Sequence, residues 1–347
     1  MTVREIIQAQ INHVETDFVP YTLEFESEPQ KHLDEYLAKK GRSNELIACV
    51  DACGGVFDTW DTFVPVDTDV PNRYLDAYGC IWTRNEVISH VDEPILATVP
   101  IYDYKFPTIG DFLTKEKEAR LKAECGRKND AYKILFLGAG PFEYTWRLMG
   151  LEKMFETMIS DPDAYEYLIA KISELMHSFI DAVADYPVDA FMFGDDWCDQ
   201  RGCMMGPDRW RKVLKPFIAK LYDHIHKTGK KAITHVCGSF SDILPDLIEI
   251  GLDVVESVQP EARGMNPYEL KRQYGNKITF WGGLGCQGIT TYGTPEEIRL
   301  EIRKLRSEMS KKGGFILAPS KPLNFAVPLE NIVAIYENFI EENYKIR

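Results

Sequence analysis

The sequence predicts an α/β chain folded as a single (β/α)8 TIM barrel with N-terminal helical and hairpin additions. Three observations carry that expectation. From residue 133 onward, short apolar runs alternate with amphipathic helical patterns at a spacing of roughly 40 residues, the rhythm of repeated strand–helix units. Each apolar run is continuous rather than alternating, as in a parallel sheet buried on both faces. Finally, 347 residues exceed the usual single core yet suit a barrel with additions.

The elements follow in order. Residues 1–43 read as an N-terminal helical extension, with a helix from Val3 to Thr16 and an appended segment. Residues 44–347 form one barrel with an insertion around 55–130, since no linker rich in Gly, Ser or Pro divides the chain. Glu45–Val50 is the expected first strand. A second belongs to the region 74–104, whose Pro, Asp and aromatic content otherwise suggests hairpins. Lys133–Leu137 is a strand ending in Gly138-Ala139-Gly140-Pro141, and a helical pattern follows through Trp146, Leu148 and Met154. Ser160-Asp161-Pro162-Asp163 then caps a long helix with Tyr165, Leu168, Ile169, Ile172, Leu175 and Met176 on its apolar face. Further strands are expected at Val188–Phe193, Lys231–Val236, Leu252–Val255, Ile278–Trp281 and Gly314–Leu317. The helices between and after them run over Pro207–Lys227, Ser241–Ile250, Thr294–Lys312 and Leu329–Tyr344.

Composition removes several function classes. A formal net charge of −14 disfavours nucleic acid or an anionic membrane as partner, because both require a basic face. Met1–Gln10 has no apolar core of a secretory leader, and no run reaches the length of a membrane span, so a cytoplasmic protein is expected. The eight cysteines include no Cys-x-x-Cys and are expected to be reduced thiols.

In such a barrel the chemistry lies where strands end. The ends here carry Gly138–Pro141, then Asp195-Asp196-Trp197-Cys198, His235 with Cys237, Glu256 with Gln259 and Glu261, Cys286 with Gln287, and Ser320 with Lys321. Titratable and metal-binding groups therefore cluster on one rim. Residues i and i+2 of a strand project to the same side, so His235 and Cys237 can aim an imidazole and a thiolate at one point. That pair suits zinc, although two ligands do not make a site and a buried histidine beside a small cysteine is the plainer alternative.

A longer ordered set of motifs resembles the uroporphyrinogen decarboxylase superfamily. It comprises Gly-Asp-Asp-Trp (194–197), Gln-Arg-Gly (200–202), Met-Gly-Pro-x-x-Trp (205–210), His-x-Cys-Gly (235–238), Val-Gln-Pro-Glu (258–261), Phe-Trp-Gly-Gly (280–283), Tyr-Gly-Thr-Pro-Glu-Glu (292–297) and Ile-Leu-Ala-Pro-Ser (316–320). The resemblance covers about residues 75–345 and is nearest to the corrinoid-dependent, methyltransferase-like branch, which includes O-demethylase and methylcobamide methyltransferases. It implies a (β/α)8 barrel and either of two activities, tetrapyrrole decarboxylation or zinc-dependent methyl exchange with a corrinoid protein.

The sequence departs from both patterns. The decarboxylases carry an Arg-x-Ala-Gly-Arg segment that holds the substrate's carboxylates; the first fifty residues here contain only Arg4 and Arg42. Asp76 is the candidate for their essential aspartate. The methyltransferases pair His-x-Cys with a cysteine after the last strand, where this chain has Ala318-Pro319-Ser320-Lys321. Cys286 is the expected substitute as third metal ligand beside His235 and Cys237, with Glu256 as the other possibility. His226-Lys227-Thr228-Gly229 lacks the aspartate of a corrinoid-binding Asp-x-His-x-x-Gly motif, so the corrinoid is expected on a separate protein.

The remaining candidates complete the expectation. Asp195, Asp196 and Glu256 are the candidate catalytic residues, for proton transfer or orientation of His235. Adjacent strand residues point to opposite sides, so only one aspartate should face the pocket, and Asp196 is favoured. Tyr144, Trp146, Trp197 and Trp281 are candidates for an aromatic wall, joined in substrate binding by Arg201, Gln259 and Lys321. The expected function is a zinc-assisted methyltransferase moving a methyl group between a small methylated substrate, such as a methoxy-aromatic, and a corrinoid protein. A porphyrinogen-type decarboxylase and a non-catalytic barrel that binds a small molecule or a corrinoid protein are the alternatives.

Overall fold

A computed structural model describes residues 1–56, 63–66, 70–85 and 89–346. Seven parallel strands form one curled sheet: β1 (Val50–Gly55), β2 (Tyr132–Ala139), β3 (Ala190–Gly194), β4 (Lys231–His235), β5 (Val254–Val258), β6 (Thr279–Leu284) and β7 (Phe315–Pro319). They are hydrogen-bonded in chain order from β1 to β7, and helices connect them on the outside. This is the (β/α)8 barrel that the strand–helix alternation predicts. Both faces of the strands are covered, which is why β6 and β7 are buried throughout.

The eighth position is filled from an unexpected place. Residues 20–26, within the stretch read as an extension, run parallel to the last strand, with bridges from Tyr21 to Leu317 and from Phe25 to Leu323. Backbone bonds tie them there, Thr22 N to Leu317 O at 2.9 Å and Leu323 N to Glu24 O at 2.9 Å. The buried Tyr21 hydroxyl donates to Asn343 Oδ1 at 2.8 Å and accepts from Ile47 N–H at 3.0 Å, joining this segment to the approach of β1. Side chains alternate, so Tyr21 enters the core while Thr22 and Glu24 face the lumen.

The region 74–104 therefore supplies no barrel strand among the described residues. It contributes to a four-stranded antiparallel sheet of residues 64–65, 73–75, 81–84 and 89–93. Asp76 ends the second of these strands as a turn-former. Its carboxylate accepts from the amides of Tyr78 (2.9 Å) and Cys80 (2.8 Å) and from the Trp82 indole (2.8 Å). The expected first strand at Glu45–Val50 is shifted, because Glu45 N and Ile47 N bond the tyrosine hydroxyls of Tyr336 and Tyr21 and pairing starts only at Val50.

After β2 the chain turns at Gly140-Pro141 into a helix, Pro141–Met149. The first amides of that helix need acceptors. Asp195 provides them from the end of β3: its carboxylate accepts from Phe142 N (3.2 Å), Glu143 N (2.8 Å) and the Trp197 indole (2.6 Å). Asp195 is fully buried, and burial, followed by the charge of Glu143, pushes its carboxyl well above the usual range while the three donors pull it back. A Cβ on Gly140 would overlap this carboxylate, so glycine is required there. Among the described residues no helix is long and apolar enough to cross a membrane.

Two stability measurements test these anchors. Tyr21→Phe strands the Ile47 amide and Asn343, and urea titration should show a loss of about 1–3 kcal/mol. Asp195→Asn turns an amide donor toward helix amides that need an acceptor, and should cost a similar ~1–3 kcal/mol. Wild-type midpoints in either variant would remove the corresponding anchor.

Candidate functional site

The C-terminal rim brings together Asp196, His235 and Cys237. One ligand atom from each lies within 4.8 Å of the others, the only such group of three or more His, Cys, Asp or Glu residues among the described ones. His235 ends β4, and Cys237 follows two residues later. Gly238 then turns the chain with φ +78°, and a side chain there would strike the Asp199 backbone. Asp196 reaches across from the loop after β3, its Oδ1 accepting the Cys237 amide at 2.8 Å.

The imidazole is held from both sides. Its Nδ1 bonds the Glu256 carboxylate, delivered by the neighbouring strand β5, in whose register His235 and Glu256 are partners. Its Nε2 faces Cys237 Sγ at 3.0 Å and Asp196 Oδ1 at 3.8 Å. Burial alone would lower the imidazole's pKa, but the Glu256 charge and the bonds to Cys237 and Glu256 outweigh it and hold it well above the usual value. Lys321, after β7, places Nζ 2.7 Å from Cys237 Sγ. Burial opposes its charge as well, and the bond to Cys237 with the charges of Cys237, Asp196 and Glu256 prevails, so its pKa is raised.

A cavity of about 350 Å³ runs from this rim into the lumen. His235, Glu256 and Lys321 belong to its wall, together with Thr22, Glu24, Phe136, Met192 and Trp281. Among the described residues no arginine lines it. The donor set fits a zinc ion: a carboxylate, an imidazole and a thiolate, three protein ligands that leave one position open. Glu256 on the far nitrogen of His235 is the support that metal-bound histidines ordinarily have. Lys321 shares the Cys237 sulfur and would have to yield it.

The other sequence candidates sit elsewhere. Cys286 lies outside the group: it stands on the loop after β6, where Ser320 Oγ accepts its amide at 3.2 Å and Glu261 accepts that of Gln287 at 2.8 Å. Its place beside the imidazole is taken by Asp196. Asp195 faces the helix described above. Of the four aromatics, Trp281 alone lines the cavity, with its indole N–H donated to Thr22 Oγ1 at 2.9 Å. Tyr144 is buried against Tyr78, Trp197 is buried against Trp210, and Trp146 neighbours Arg147. Arg201 is exposed, pairs with Asp199 and edges a separate surface cleft. Gln259 is buried and accepts from Gln200 at 3.1 Å. Thr22, Glu24, Phe136 and Met192 were not among the expected site residues. Apolar–polar alternation from Tyr21 to Phe25 is the signal that marks the first two.

Comparisons with known proteins agree with this architecture. A family model for uroporphyrinogen decarboxylase (URO-D) matches residues 120–341. Two curated relatives are each 21% identical: a uroporphyrinogen decarboxylase from Vesicomyosocius okutanii over 50% of this chain, and a methylated-thiol–coenzyme M methyltransferase from Methanosarcina mazei over 58%. The chain spans about half the length of these relatives, 48% and 51%. Among solved structures, a methyltransferase from Methanosarcina mazei superposes with a TM-score of 0.70 at 18% identity, covering 99% of both chains, and so shares the fold. With a barrel, a rim site and a family match over most of its length, the chain belongs to the uroporphyrinogen decarboxylase family.

Proposed function

We propose that this protein is a methyltransferase that moves a methyl group between a small methylated substrate and a corrinoid carried on a separate protein, with zinc held by Asp196, His235 and Cys237. The observation that carries this reading is the pairing of a carboxylate–imidazole–thiol group with a small, mostly apolar cavity. A tetrapyrrole bearing many carboxylates would need a cationic cradle, and the wall offers Lys321, already bonded to Cys237, beside two glutamates. Asp76, the candidate for the decarboxylases' aspartate, is spent on a turn. The methyltransferase name of one relative and the full-length fold likeness to another point the same way.

Each residue then has a task. Glu256 fixes the orientation of the imidazole and leaves its Nε2 toward Cys237 and Asp196. Lys321 donates to the Cys237 sulfur until a metal or substrate takes over. Asp196 orients Cys237 through its amide and supplies the anionic ligand. A bound zinc would contribute Lewis acidity toward a substrate oxygen or sulfur in its open position.

Two experiments test the reading. Metal analysis and competition with a chelator should find one zinc per chain, lost in Cys237→Ala and bound more tightly in Lys321→Ala, which frees the sulfur; equal affinity in the lysine variant would end the competition. With a reduced corrinoid protein and a methyl donor, the cobalt absorption spectrum should change on adding this protein. Asp196→Asn should slow that change by ~10–100-fold while keeping the wild-type urea midpoint. Turnover of uroporphyrinogen with an inert corrinoid would reverse the assignment.

A further inference from the structure

The lumen wall contains one charge that no described residue pairs. Glu24, on the segment that fills the eighth barrel position, faces the cavity, and its carboxylate has no hydrogen bond or ion pair among the described residues. The other charged groups on the wall are engaged: Glu256 with His235, and Lys321 with Cys237. Glu24 is exposed to water on the cavity side. Burial and then the charge of Glu256 push its carboxyl above the usual range, with His235 pulling partly back.

The surfaces opposite are soft and apolar. Phe136, in the middle of β2, is 37% exposed, the only residue of that strand open to this degree, because its ring faces the cavity. Met192 on β3 lines the same space. Trp281 gives its one polar hydrogen to Thr22 and keeps only ring carbons for an occupant. An unanswered carboxylate among aromatic rings is the environment that accepts a cation without hydrogen-bond donors.

We propose that the cavity is built for a quaternary ammonium bearing N-methyl groups, with Glu24 as its counter-charge and Phe136 and Trp281 as its aromatic walls. As the methyl donor this rests on the corrinoid methyl transfer proposed above and draws no Lewis acidity from zinc, because a quaternary nitrogen has no lone pair to give a metal. A neutral ether would leave the Glu24 carboxylate without a counter-charge in the cavity, and an anion would meet both carboxylates at once. The chemistry balances without an acid. The methyl carbon is bonded by an electron pair of the acceptor, the reduced corrinoid of the partner, as the C–N bond breaks. The C–N pair stays on nitrogen, so the positive charge leaves the substrate and a neutral tertiary amine departs without needing a proton.

The test is calorimetric titration of the full chain, without corrinoid, using choline and its neutral carbon isostere 3,3-dimethylbutan-1-ol. Choline should bind at least roughly tenfold more tightly, the scale of a cation held by rings and a carboxylate. Glu24→Gln, checked for an unchanged urea midpoint, should erase that preference while leaving the isostere's affinity as it was; Phe136→Leu should weaken choline more than the isostere. Equal affinities, no choline binding, or a Glu24→Gln variant with intact preference would overturn the proposal. Failure of the parent reading looks different. Selective choline binding with no methylation of any corrinoid would sink methyl transfer and keep the cation site. Corrinoid methylation from a neutral ether without choline selectivity would do the opposite.

Discussion

An imidazole has two nitrogens, and in this barrel each has a different master. Glu256 takes the Nδ1 of His235 from the adjacent strand, which leaves Nε2 aimed at Cys237 and Asp196. That division depends on the parallel register of β4 and β5, which sets His235 opposite Glu256. A slip of one residue would turn the glutamate to the outer face. The packing of helices on the outside of the sheet, against an inner face that lines the cavity, is what forbids the slip. Barrel packing and site chemistry are therefore one constraint seen at two scales.

The two ionic pairs at the rim divide the charges. At His235 and Lys321 burial opposes the charged form and the surrounding acidic groups favour it more strongly, and Cys237 lies between the two. Burial of a charge is tolerated only where partners stand close. The neighbouring lumen is different, since Glu24 has no partner among the described residues. The rim thus pairs its charged groups with one another, whereas the lumen carries a carboxylate that no described residue pairs.

Much of this was legible in the sequence. The strands from β2 to β7 announce themselves as continuous apolar runs, and each found strand overlaps the run that predicts it: Lys231–Val236 against Lys231–His235, for instance. His235, Cys237 and Asp196 follow from their positions just past strand ends. What stayed hidden had physical reasons. β1 contains Asp51, Gly54 and Gly55, a poor apolar run held by its neighbour β2. The eighth segment alternates because its polar side chains face a cavity rather than a packed lumen, so it lacks the pattern of a fully buried strand. Asp195 and Asp196 look equivalent in sequence; only the position of the helix Pro141–Met149 makes one a cap and the other a rim group. Cys286 seemed a ligand by strand count, but its loop is drawn to Ser320 and Glu261.

The bond between Trp281 and Thr22 spans 259 residues of sequence, and that between Tyr21 and Asn343 spans 322. Contacts of such range are made late, since the chain between them must first be ordered. On the ribosome, the segment carrying Glu24 emerges long before its partner strand β7 exists. It must wait, with its apolar side exposed, while most of the barrel is synthesised. The cavity is thus the last part of the molecule to come into being. Any ligand that fills it will hold together an early segment and a late strand, acting as a clasp on the finished ring.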